Sequence, residues 1–176
     1  VEMRLAVLTA QHFASGFDSF NAGDSVRMRA AASLATLGVQ RARLTVPGHA
    51  SIELSGRHGE ILTLLSAHRD GLSAGRLALD IYGEEAKEVT LRAELARLRP
   101  ILGERGLELA PRPYRVVQGI VSDASDVLEF LSSGDTGAAV PRYRGEQLPA
   151  SDAPGIRALR SELSATLRDQ VLATAD

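Results

Sequence analysis

Apolar residues recur along most of this chain at helical spacing, and in a few places at strand spacing. The clearest run is Leu91, Leu95, Leu98 and Leu102, four, three and four residues apart. That places four leucines in one stripe of an α-helix. Thr90, Ala93, Ala96 and Arg97 fall on the far side, with Arg92 and Arg99 on the flanks. Arg97 stands opposite the stripe, so its guanidinium is expected to be free in the unbound protein. Two helices are predicted before this one. Ser55 caps the first, which carries Ile61, Leu62, Leu64 and Leu65 and ends near Asp70-Gly71. Ser73 caps the second, with Ala74, Leu77, Ala78 and Ile81 inward and an end at Tyr82-Gly83. Residues 84–87 read as a polar connector. The third helix should begin near Glu88 and end near Gly103. Pro100 should kink or stop it, because a proline inside a helix costs ~3 kcal/mol in a lost hydrogen bond and a clash one turn back.

Short strands frame these helices. Residues 43–46 (RLTV) and 51–54 (SIEL) surround Pro47-Gly48-His49-Ala50 and read as a β-hairpin. Residues 107–110 and 114–117 read as a second hairpin, with Pro111-Arg112-Pro113 as its turn. The flanks read as helical. A helix is expected over residues 1–14, then a turn-rich loop over 15–24 with Phe17 and Phe20 pinned to a core. A second helix would be capped by Asp24 or Ser25, with Val26, Ala30, Leu34 and Leu37 as its stripe and Gly38 as its stop. From Ser122 a helix should run to near Gly134, and a short one from Thr136 should stop at Pro141. Residues 143–149 connect to a long helix capped by Ser151 or Asp152, with Pro154 tolerated in its first turn. Its stripe of Ile156, Leu159, Leu163, Leu167 and Val171 needs cover, because burial at ~25 cal/mol per Å² contributes several kcal/mol. The expected cover is the helices of residues 1–37 or 122–140, or a second subunit. The fold class is therefore mainly α with small β: a β-hairpin, three helices and a second hairpin, flanked by helical segments. The expected divisions are 1–41, a helical hairpin or linker; 42–118, the three-helix domain; and 119–176, a C-terminal helical segment.

Composition narrows the chemistry. The chain has 176 residues, is 44% hydrophobic and contains no cysteine. The apolar content is enough for a packed core, while disulfides, thiolate metal sites and cysteine nucleophiles are excluded. No apolar run approaches the ~20 residues of a membrane span, and no signal peptide is visible, so a cytoplasmic location is expected. Val1 is not an initiator methionine, so the sequence reads as a piece of a longer protein. The net charge of −2 does not announce a nucleic-acid binder. Its distribution says more: residues 87–118 hold seven basic and four acidic side chains, and residues 119–176 hold five and nine. Positive charge thus gathers on the third helix and second hairpin, where a DNA face would lie.

Enzymatic chemistry finds little support. His12, His49, His58 and His68 include no pair four apart and have no cysteine partner, so a zinc site is not expected. His58 reads as a helix-surface histidine, and Glu84-Glu85 as a solvated acidic loop. Neither G-x-x-x-x-G-K-[ST] nor G-x-G-x-x-G occurs, so there is no phosphate cradle for a nucleotide.

Residues 42–118 resemble the winged-helix effector domain of OmpR-type response regulators. The resemblance rests on residues 57–65 (RHGEILTLL) for its first helix and Gly71-Leu72-Ser73 for the start of its second. Tyr82-Gly83 falls where the family usually has Trp-Gly. Thr90-Leu91 and Leu95-Ala96-Arg97-Leu98-Arg99 sit on the recognition-helix signature, and Tyr114-Arg115-Val116 on the last strand of the wing. Pro100 stands where the family usually has a basic residue. Ala110 occupies the place of the wing arginine, with Arg112 two residues later. The whole arrangement also resembles actinobacterial regulators that join a GAF sensor to a winged helix. Residues 143–149 (YRGEQLP) and 153–156 (APGI) resemble the start of a bacterial transcriptional activation domain.

The resemblance implies a sequence-specific regulator that binds double-stranded DNA through a winged helix-turn-helix and needs no cofactor. Ser73 would meet phosphate. Lys87, Thr90, Arg92, Ala93 and Arg97 would face the major groove, and Arg112 and Arg115 the backbone or minor groove. RNA polymerase, or a second copy of the chain in a homodimer, are further partners this reading allows. The rival is a winged helix that serves as a protein-interaction module, touching RNA polymerase or another regulator without reading DNA.

Overall fold

The structure is a computed structural model that describes residues 32–85 and 87–174. These residues belong to one compact unit. The helix expected over residues 1–14, the loop with Phe17 and Phe20, and the start of the next helix lie outside the described residues.

The chain enters as a strand, where a helix was expected. Strand β1 (Ala32–Ala35) pairs antiparallel with β2 (Arg43–Thr45), which pairs antiparallel with β3 (Ile52–Glu53). Burial alternates along β1, with Ala32 and Leu34 inside and Ser33 outside. A helical stripe through Leu34 and Leu37 is therefore replaced by the two-residue period of a strand. A further strand, β6 (Ile120–Ser122), lies on the other side of β1 and runs parallel to it, giving the order β3-β2-β1-β6. This strand was not foreseen; residues 120–122 are too short to show a period, and their partner lies 88 positions earlier, with Ala32 opposite Ile120.

Three helices follow the first hairpin. Helix α1 (Gly56–Ala67) is capped by Ser55, whose hydroxyl accepts the His58 N–H. It stops earlier than expected, because His68 leaves the helical conformation before Asp70-Gly71. Helix α2 (Ala74–Tyr82) is capped by Ser73, and a single 3-10 turn (Gly83–Glu85) leads towards α3 (Glu88–Gly103). Leu91, Leu95, Leu98 and Leu102 are all within 1% of complete burial. Helix α3 neither breaks nor ends at Pro100. Pro100 and Ala96, whose carbonyl loses its usual donor, both lie on the exposed side. Water can satisfy that carbonyl there, so the cost of the proline falls well below that of a buried one. Pro141 behaves likewise: α5 (Thr136–Arg142) continues past it on an exposed edge.

The second hairpin, β4 (Leu109–Pro111) and β5 (Tyr114–Val116), pairs Pro111 with Tyr114, so Arg112 and Pro113 alone form the turn. It is fixed to the start of α2 by two hydrogen bonds between the backbones of Leu72 and Tyr114, at 3.0 and 2.8 Å. Gly71 makes this approach possible. Its φ is +89°, and a Cβ there would lie 2.8 Å from the Tyr114 carbonyl oxygen.

The C-terminal part is joined to the same body. Helix α4 (Asp123–Ser132) follows β6 directly. The Asp123 carboxylate accepts the backbone N–H of Thr36 and Leu37 at 2.9–3.0 Å and the Thr36 hydroxyl at 2.7 Å. Residues 146–148 pair with residues 36–38, including a Leu148 N–H donated to the Thr36 carbonyl. Helix α6 (Pro154–Thr174) starts at Pro154. Ser151, expected as its cap, holds the Ala153 N–H weakly at 3.3 Å and donates its hydroxyl to Glu60 at 2.6 Å. The stripe of α6 divides its cover. Ile156 and Leu159 belong to the core formed with α1 and α2, and Leu163 and Leu167 to a smaller cluster with α4 and α5. Val171 is exposed. Packing on residues 122–140 is thus found for the distal half only. Among the described residues, no helix is long and apolar enough to cross a membrane.

Candidate nucleic-acid interface

The burial of the α3 leucines turns the opposite side of that helix outward. Lys87, Thr90, Arg92, Ala93 and Arg97 are all exposed. Lys87 occupies the N-cap position and makes no capping bond with its side chain. Thr90, Ala93 and Arg97 follow at spacings of three, three and four from Lys87 and so share one face. Small residues at Thr90 and Ala93 keep that face low enough for close approach of another surface.

Arg92 lies towards the second hairpin. With Ser73 and Ala74 at the start of α2, and with Pro111, Arg112, Pro113 and Tyr114 of the hairpin, it lines one cleft. Three of the expected residues, Ser73, Arg92 and Arg112, are therefore brought together. The Ser73 hydroxyl accepts the Arg76 N–H at 3.2 Å, which leaves the first N–H groups of α2 pointing outward without helical partners. Two guanidinium groups and a helix N-terminus around one opening form a surface suited to an anion. Arg115 projects from the outer face of β5, between buried Tyr114 and Val116, and does not line the cleft. Lys87, Arg99, Arg112 and Arg115 have no ion-pair partner among the described residues.

Arg97 is not free. Its Nη1 donates to Glu94 Oε1 at 2.7 Å, although its side chain stays 68% exposed. Arg92 likewise donates to Glu88 at 2.6 Å. Both acids were missed by the sequence reading, yet their i, i+3 and i, i+4 spacings to the arginines were visible in it. Exposed pairs of this kind contribute at most ~1 kcal/mol each, so a stronger acceptor can displace them. His58 also departs from expectation. It is 8% exposed, buried beneath α3, with its Nε2 3.4 Å from Glu94 Oε2. The proline and tyrosine walls of the cleft carried no sequence signal, because only the Leu72–Tyr114 pairing places them beside α2.

Titration behaviour around the site follows burial. Desolvation lowers the pKa of His68; Asp80 opposes that shift and Arg76 adds to it. Burial raises the Tyr82 hydroxyl, with the Arg57 guanidinium, 4.7 Å over its ring, pulling the other way.

No protein-family model matches this chain. It is similar to an uncharacterized 47.3 kDa protein encoded in the thcA 5' region of Rhodococcus erythropolis, with 41% identity over 143 residues. The match covers 81% of this chain and 32% of that protein, so the chain spans about a third of the length of its relative.

Proposed function

We propose that this chain is the DNA-binding part of a transcriptional regulator, built on a winged helix-turn-helix of the OmpR type and acting in the cytoplasm. In this reading α2 and α3 are the helix-turn-helix, α3 enters the major groove, and the β4–β5 hairpin is the wing. The observation that carries it is the pairing of two surfaces: the exposed Lys87–Thr90–Ala93–Arg97 face of α3, and the adjoining cleft where Ser73, Arg92 and Arg112 meet. The first has the small and basic residues that base readout needs. The second has the charge and free N–H groups that hold a phosphate and set register. The acidic segment after residue 118, with α4, α5 and α6, would face away from DNA towards a protein partner such as RNA polymerase.

Selection of binding sites from random duplex, followed by affinity measurements across salt concentrations, tests this. Contacts by Lys87, Arg92, Arg97, Arg112 and Arg115 would together give a log–log salt slope of about −3 to −4.5, at ~0.9 per neutralised phosphate. Absence of enrichment, together with salt-insensitive binding to an RNA polymerase subunit, would favour the protein-interaction module instead.

A further inference from the structure

The solvent side of α3 carries an apolar strip among its charges. Val89, Ala93, Ala96 and Pro100 are all exposed, at spacings of four, three and four. At 3.6 residues per turn they fall within about 60° of one another, on the side away from the buried leucines. Val89 is 73% exposed, the most of any large apolar side chain among the described residues. A single exposed apolar residue is ordinary; a row in register along one helix face points to something that covers it.

The charges beside the strip restrict what that cover is. Arg92 and Arg99 border it on one side, and Thr90 and Arg97 on the other. Glu88 and Glu94, the acids of this helix, are half-buried, and each is paired with an arginine, Arg92 and Arg97 respectively. A polyanion that also presents small apolar groups matches this surface. A protein partner matches it less well: stable interfaces bury ~800 Å² per partner, and one valine, two alanines and a proline supply little of that. The major groove of duplex DNA meets both requirements. Its walls are lined by phosphates, and thymine alone of the four bases places a methyl group in it.

We propose that Val89 and Ala93 are specificity-determining residues that read thymine methyl groups, so that the preferred duplex carries thymine where the first turns of α3 enter the groove. This rests on the reading of α3 as the recognition helix. The N-terminal residues of such a helix are the ones that meet base edges. Val89 and Ala93 are four residues apart, about 6 Å along the axis. That spans roughly one to two steps of a duplex rising ~3.4 Å per base pair, so the thymines should lie close together. Ala96 and Pro100, farther along, let the helix pass the groove wall without a long side chain in the way. An apolar contact neutralises no phosphate, so it adds base preference without adding to the salt dependence.

The test uses the full chain and a duplex selected from a random pool. Each thymine is replaced in turn by uracil, which removes the methyl group and keeps the pairing and hydrogen-bonding edges. Affinity is measured for wild type, Val89→Ser and Ala93→Ser, two exposed changes whose folding is checked by circular dichroism. Wild type is expected to lose about fourfold at each thymine it reads, the equivalent of one buried CH2 group. Val89→Ser should abolish the thymine–uracil difference at one position and Ala93→Ser at a neighbouring one, with the salt slope unchanged in both. A selected site without thymine, or uracil substitutions with no effect or with the same effect in all three proteins, would overturn the inference and leave the DNA reading standing. Absence of any enriched duplex would overturn the DNA reading, and the inference with it. Self-association that Val89→Ser disrupts, with the thymine–uracil difference intact, would assign the strip to a second copy of the chain and overturn the inference.

Discussion

Replacing Gly155 with alanine sets two effects of opposite sign against each other. Gly155 lies in the first turn of α6, and alanine is favoured over glycine in a helix interior by roughly 1 kcal/mol. Propensity alone therefore expects a gain in stability. The packing expects the reverse. A Cβ on Gly155 would lie 2.7 Å from Asp80 Cβ, 2.8 Å from Leu64 Cδ2 and 3.1 Å from the Asp80 carbonyl oxygen. Two of these contacts are with the body of α2, which cannot rotate away as a side-chain tip can. Overpacking of this kind costs about 1–3 kcal/mol, and the α6 helix would have to lift from Ile156 onward to relieve it. The net expectation is a loss of ~1–2 kcal/mol. Gly103, the last residue of α3, has open space around its missing Cβ. Gly103→Ala should therefore be neutral or gain up to ~1 kcal/mol. Urea unfolding of both variants, followed by circular dichroism, measures the two free-energy changes on one scale. A Gly155→Ala variant as stable as Gly103→Ala would refute the docking of α6 on α1 and α2.

Other consequences follow from the core and the titratable groups. Leu95→Ala removes a fully buried side chain from the α3 stripe and should cost ~2–5 kcal/mol in the same unfolding assay. Arg112→Ala at the hairpin tip should leave stability unchanged and weaken duplex binding evenly across sequences, with the salt slope smaller by about one. Burial lowers the His68 pKa in the folded protein, so the unfolded chain binds this proton more readily. Stability from this group is complete above the ordinary histidine range and declines as pH falls through ~6.5 towards the lowered value. His68→Gln should flatten that decline. The half-buried Asp126 and Glu162, whose pKa values desolvation raises, work in the opposite direction at lower pH.

The local elements were legible and the non-local ones were not. The three central helices and the hairpin at Arg112 follow from apolar period and capping residues, which act within a few positions. Strand β1 was hidden because Ala32, Leu34 and Ala35 suit a helix as well as a strand; its neighbours β2 and β6 decide the matter. The continuation of α3 through Pro100 depends on which side of the helix faces water, which propensity does not encode. At the candidate site, exposure of Lys87, Thr90, Arg92, Ala93 and Arg97 followed from the position of the leucines. The burial of His58 did not, because it depends on α3 crossing over the start of α1. The engagement of Arg97 by Glu94 could have been read from their spacing, but the imidazole behind it could not.

The most direct measurement is the affinity of the wild-type chain and the Arg97→Ala/Arg112→Ala double variant for duplexes selected from a random pool, at several salt concentrations. The expected result is an enriched sequence bound by wild type with a steep salt dependence, and in the double variant weaker binding, a shallower slope and a relaxed preference of ~1–3 kcal/mol at one base pair. Unchanged affinity, slope and preference in the double variant would remove α3 and the β4–β5 hairpin as the DNA-binding surface.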